Sequence, residues 1–186
     1  MFKVIESIGK YTLLMQKVFS RPEKRSIYYR RIWHEMEALG LNSIGLTAII
    51  SIFIGSAVTL QMAITLESPF IPQFMIGYAT REVMILEFSS TVVALILAGK
   101  VGSNIASEIG TMRITEQIDA LEIMGVNSAS FLILPKILGF ITMMPFLVIF
   151  STVSGVAGAY ATAYFANIIT ASDLTAGMQH EFTQWF

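Results

Sequence analysis

The chain has 186 residues, 54% of them apolar and 13% charged, with a formal net charge of −1 and a mean hydropathy of +0.67. Globular domains run at about a quarter charged, so these charges are too few to coat a soluble surface, and their balance offers nothing to nucleic acid. There is no cysteine, and the two histidines, His34 and His180, lie far apart. Disulfides and thiolate metal sites are therefore excluded, and a histidine-centred catalytic triad is disfavoured.

Residues 1–37 read as a basic, amphipathic start. Eight of the twelve Lys and Arg fall here, from Lys3 to Arg31. Val4, Ile8, Tyr11, Met15 and Val18 recur at helical spacing, as do Ile32, Met36 and Leu39. A basic face opposite an apolar one suits helices lying in the membrane interface, with Tyr28, Tyr29 and Trp33 at headgroup depth. Arg21-Pro22 predicts a break between two such helices. Lys3, Glu6, Lys10 and Lys17 interrupt any cleavable signal core, so the first span is expected to serve as its own membrane signal.

A first span is predicted over 38–66, where 29 residues from Ala38 to Leu66 carry no charge. About 20 suffice to cross hydrocarbon, so this span is long or tilted. Glu67, Pro69 and Pro72 end it. A second span is predicted over 80–99; its apolar core, Val83 to Gly99, is short and contains Glu87. Residues 100–136 form a polar stretch in which Ile114, Ile118 and Leu121 share one helical face, and Gly125 is placed to cap that helix. A third span is predicted over 137–166, within a charge-free run from Ile137 to Ser172, with a kink at Pro145. Its Ser151, Ser154, Gly155, Gly158 and Ala159 predict a helix–helix contact. Residues 167–186 are expected to be a periplasmic or interfacial tail. With the N-terminus in the cytoplasm, segments 1–37 and 100–136 hold eleven of the twelve basic residues, and the outer connection holds only Arg81. The expected fold is an all-α integral membrane protein with interfacial helices, three transmembrane helices and one short helix between the second and third.

Three features could carry chemistry. Gly99-Lys100-Val101-Gly102-Ser103 lacks the Walker A pattern, so any ATP must be hydrolysed by a partner. Glu87 is an ionisable group in or beside a span, which marks either a site or a headgroup contact. The short amphipathic helix either docks in a groove of a soluble partner or rests on the headgroups, and spacing alone does not choose. No cofactor is expected.

Ala98-Gly99-Lys100-Val101-Gly102, then Ala106-Ser107-Glu108-Ile109-Gly110-Thr111-Met112-Arg113, then Thr115-Glu116-Gln117-Ile118-Asp119-Ala120-Leu121-Glu122-Ile123-Met124-Gly125-Val126, with Pro135-Lys136 beyond, closely resemble the signature of the MlaE permease family. The resemblance covers roughly 30–186. It implies a permease subunit of an ABC transporter that moves phospholipids or related lipids between membranes. The implied setting is the bacterial inner membrane, as a homodimer with a cytoplasmic ATPase and an MCE-domain protein. The loop helix then resembles a coupling helix, and ATPase contact carries over to Glu108, Arg113, Thr115, Glu116, Gln117 and Asp119. The family's lipid cavity, lined by the first two spans, carries over to Glu87, Gln61 and Met62, with Glu87 and Gln61 expected to meet headgroups or satisfy each other. Leu86 stands where the family has Arg and Ser90 where it has Pro, while Arg81-Glu82 imitates the Arg-Glu pair five residues too early. Family members continue into two further spans, so the chain reads as C-terminally truncated. Two rival readings are a non-transporting membrane scaffold and an intramembrane lipid-modifying enzyme; the enzyme is disfavoured by the want of clustered His, Asp or Ser.

Overall fold

A computed structural model describes residues 2–20, 25–166 and 168–180. All regular structure among them is helical: α1 (Phe2–Val18), α2 (Arg25–Glu35), α3 (Ile44–Thr65), α4 (Phe74–Val83), α5 (Ser89–Ile114), α6 (Gln117–Ile123), α7 (Ser128–Ala166) and α8 (Ala171–Gln179). The predicted break at Arg21-Pro22 lies outside the described residues, as do Asn167 and 181–186 of the predicted tail.

Neighbouring helices run together. A wide π-turn (Met36–Gly40) and a 3-10 turn (Leu41–Ser43) join α2 to α3, and a second π-turn (Met84–Phe88) joins α4 to α5. Three continuous helical paths result, Tyr28–Thr65, Phe74–Ile114 and Ser128–Ala166, each long and apolar enough to cross a membrane. Each exceeds the roughly 20 residues that hydrocarbon requires. The helix that carries the second span is long: it begins at Phe74 and continues to Ile114. Polar residues after Gly99 do not stop it, because nothing between Lys100 and Ile114 removes a backbone donor. The connection expected over 100–136 contracts accordingly, and α7 runs unbroken through Pro145.

The chain forms two compact units, one of the residues up to Asn42 with Gly99–Met144, the other of Ser43–Ala98 with those from Pro145 onward. In the first, Val18, Tyr28 and Leu134 are buried together, with Ala129, Ile133 and Ile137 against them. Tyr28 and Ser130 share a hydroxyl hydrogen bond of 2.6 Å, and Arg31 donates to the Phe131 carbonyl while stacking on its ring. Among the described side chains of α1, Val18 joins this core, while Ile5, Ile8, Tyr11, Leu13 and Leu14 are exposed.

In the second unit α3 and α7 meet through small residues. A side chain at Gly55 would collide with the Gly155 carbonyl, and one at Gly158 with that of Ile52. Ser51 and Ser151 share a hydrogen bond of 2.7 Å, and Ser56 donates to the Gly158 carbonyl at 3.0 Å. The small-residue face of α7 is therefore spent within the chain, where it lets two backbones approach and satisfies hydroxyls inside hydrocarbon. The expected tail instead contains α8, packed on α4: a Cβ at Gly77 would lie 2.6 Å from the Leu174 carbonyl, and Gly177 abuts Phe74 and Tyr78. Arg81, expected in an outer connection, is buried in α4. Its Nη1 donates to the carbonyls of Met178 (3.1 Å) and His180 (2.7 Å), and its Nη2 pairs with Glu82 at 2.6 Å. Carbonyls at the end of α8, which lack helical partners of their own, are satisfied by that guanidinium.

Candidate functional site

From Gly99 onward the signature residues lie in the first unit, first along the end of α5 and then in the α5–α6–α7 connection. At the end of α5, Thr111 and Thr115 turn their hydroxyls back onto the carbonyls of Ser107 and Thr111, both at 2.8 Å. The chain then reverses at Glu116, the one non-glycine residue of positive φ among those described (φ 57°, ψ 14°). A left-handed conformation costs a non-glycine residue about 1–2 kcal/mol. An ion pair spans the turn, Arg113 to Asp119, with Asp119 placed in the first turn of α6 where an anion is favourable.

The far end of α6 is equally determined. Gly125 (φ 77°) donates to the Glu122 carbonyl and Val126 to that of Leu121, both at 3.0 Å, which together satisfy two terminal carbonyls in a Schellman motif. Ser128 Oγ donates to Glu122 at 2.9 Å. Asn127 Oδ1 accepts from the Ser130 amide, capping α7, while its Nδ2 donates to the Lys17 carbonyl and Ser20 Oγ. The connection is a braced knob rather than a slack loop.

Its surface differs from the one expected. Arg113, Thr115, Glu116 and Gln117 are exposed, as is much of Asp119, and the structure brings these five together around one turn. Ile118 and Leu121 turn partly inward, whereas Ile114 does not share their environment: it is 85% exposed, with Ile123 at 87% and Met124 at 68%. These three apolar side chains were not foreseen as contact residues. The signal was present in Ile123-Met124, two adjacent large apolar residues before the capping glycine in a polar stretch. Glu108 stands apart from the group, since its carboxylate is engaged inward by Lys136 at 2.6 Å.

The cavity candidates do not converge. Glu87 lies in the Met84–Phe88 turn with its carboxylate exposed among exposed Ile85, Leu86 and Phe88. Gln61 is exposed too, and its amide donates to Thr65 Oγ1 (3.4 Å), one turn along its own helix. Met62 packs inward on the cluster of Ala63, Ile76, Ala163, Ile169 and Leu174. A groove of about 590 Å³ opens at the end of α3, lined by Ala63, Ile64, Leu66, Glu67, Pro69 and Ile168. Among the described residues no group of His, Asp or Glu is arranged to hold a metal ion.

Residues 32–185 match the family described as Permease MlaE. A probable ABC transporter permease protein of Rickettsia bellii is 31% identical over 96% of this chain and 69% of its own length. One from Synechocystis is 32% identical, over 78% of this chain and 55% of its own. Protein TRIGALACTOSYLDIACYLGLYCEROL 1, chloroplastic, of Arabidopsis thaliana is 28% identical over 78% of this chain and 41% of its own.

Proposed function

Because the chain belongs to the MlaE permease family and is a multi-pass membrane protein, we propose that it is the membrane subunit of a lipid-moving ABC transporter, driven through the α5–α6–α7 knob by a separate cytoplasmic ATPase. The observation that carries this reading is the knob's form: a rigid turn presenting Ile114, Ile123 and Met124 beside Arg113, Thr115, Glu116, Gln117 and Asp119. Exposed apolar side chains ringed by charge are what a soluble partner's groove takes up. A braced turn also transmits force, where a slack loop would absorb it.

Lipid as cargo is supported by the apolar faces of the three spans and by the lipid in the printed name of the Arabidopsis relative. In this reading two copies enclose a cavity that opens outward to an MCE-domain protein in the periplasm. Glu87 and Gln61 meet phospholipid headgroups, and the methionine-rich spans adapt to acyl chains. The N-terminus faces the cytoplasm of a bacterial inner membrane, as the distribution of Lys and Arg favours.

The test is copurification of the chain with its ATPase from membranes, wild type against Glu116→Lys with Asp119→Lys. Retention by the wild type and loss by the double variant supports the docking surface. Equal retention by both refutes it.

A further inference from the structure

Lys136 follows Pro135 in α7, and its side chain is only 4% exposed. Its ammonium donates to Glu35 at 2.8 Å and to Glu108 at 2.6 Å. Three helices of the first unit therefore meet on one nitrogen: α2 by its last residue, α5 within two turns of its end, and α7.

The two carboxylates are not equivalent. Glu35 has a side chain 10% exposed and Glu108 one 48% exposed. Lys136 with Glu35 already makes a neutral, enclosed pair, and removing either partner would strand a buried charge. Glu108 adds a second anion that neutrality does not require. Half in water, it can leave the ammonium and return with little desolvation at stake.

Each arm ends at a place that can move. Glu108 is tied through the rigid end of α5 to the knob, roughly 9 Å away at 1.5 Å per residue. Glu35 immediately precedes the π-turn Met36–Gly40, where the Leu41 amide bonds to the carbonyls of Met36 and Glu37. Irregular turns of this kind are where helices bend. One face of α7 holds that turn along its length. Lys136 grips Glu35; a Cβ at Gly139 would lie 3.2 Å from the Met36 amide; and Met143 fills the space beside Gly40, with its Cγ 2.5 Å from where a Cβ would stand.

We propose that Lys136 is a positioning residue that passes displacement of the α5–α6 turn to the bend at the start of the first span, with Glu108 as the releasable arm and Glu35 as the fixed one. This rests on the reading that the knob receives the ATPase. The test uses Glu108→Gln in the complex with its ATPase, reconstituted in phosphatidylethanolamine–phosphatidylglycerol vesicles. It reads three quantities: ATPase retained, ATP hydrolysed, and fluorescent phosphatidylethanolamine moved. The expected result is a folded complex with its ATPase in place and at least a tenfold fall in lipid moved per ATP, partly restored by Glu108→Asp. An unchanged ratio in an intact complex overturns the proposal and leaves the docking reading standing. Loss of the ATPase from Glu108→Gln alone also overturns it, since Glu108 would then face the partner. Failure of Glu108→Gln to fold overturns the releasable arm. Failure of the wild type to hold the ATPase sinks the docking reading and this inference with it.

Discussion

The two units are held together by different chemistry. In the first, a small apolar cluster is joined by charged and polar long-range ties: Lys136 with Glu35 and Glu108, Arg31 on Phe131, Tyr28 with Ser130, Asn127 with Ser20. In the second, backbones touch at Gly55, Gly158, Gly77 and Gly177, and serine hydroxyls bond across α3 and α7. A difference of this kind is what unlike solvents would produce. Buried charge is tolerable where water or headgroups are close, whereas deep in lipid there is no hydrophobic drive between helices, and close packing must supply the attraction. Arg81 is the instructive exception in the second unit. It is buried, yet carries Glu82, two carbonyls and the Tyr78 ring as partners.

This contrast can be broken by substitution. The largest effect is expected at Lys136→Met, which strands the enclosed Glu35 carboxylate. A loss of about 3–5 kcal/mol is expected, read as the disappearance of monodisperse protein in detergent. If Lys136→Met were as stable as wild type, the ionic account of the first unit would fail. Next comes Gly55→Leu, which must force α3 from α7. Overpacking of this kind costs about 1–3 kcal/mol, measured as lowered thermal stability. Gly45→Leu, on the same helix with open space around it, serves as the control and should change little. Arg81→Met leaves the α8 carbonyls without their donor. Losing hydrogen bonds to a charged group costs about 1.5–3 kcal/mol each where nothing replaces them, but water can reach this end of α8, so a smaller net loss is expected. It should appear as faster amide exchange confined to 171–180. The smallest effect is Glu116→Gly, which removes left-handed strain. A gain of at most about 1 kcal/mol is expected, offset by reduced ATPase retention if Glu116 contacts the partner.

Among the described residues, helix as the only regular structure, three helices able to span, and a short helix between the second and third were legible because lipid imposes a strong one-dimensional signal. Long uncharged runs have few other uses. The helix stop at Gly125 was legible for a similarly local reason, since glycine readily adopts the positive φ that ends a helix. Helix limits were less legible: the charges at Lys100 and Glu108 do not end backbone hydrogen bonding, and α5 runs through them. Arg81-Glu82, which looked like a displaced copy of a motif, is a clamp on a helix nearly a hundred residues later. Glu108, read as facing a partner, is turned to Lys136 by the packing of α7. No local pattern could have revealed either.

By itself, then, the sequence determined the solvent of this protein, the helical kind of its spans, and its family, because these depend on composition, on period, and on one nearly continuous run of residues from Ala98 to Val126. Tertiary structure alone decided which small residues are spent inside the chain, which charges neutralise one another, and which side chains of the knob remain free. Those outcomes depend on where helices distant in sequence come to lie, and a side chain's role is set by its neighbours in space.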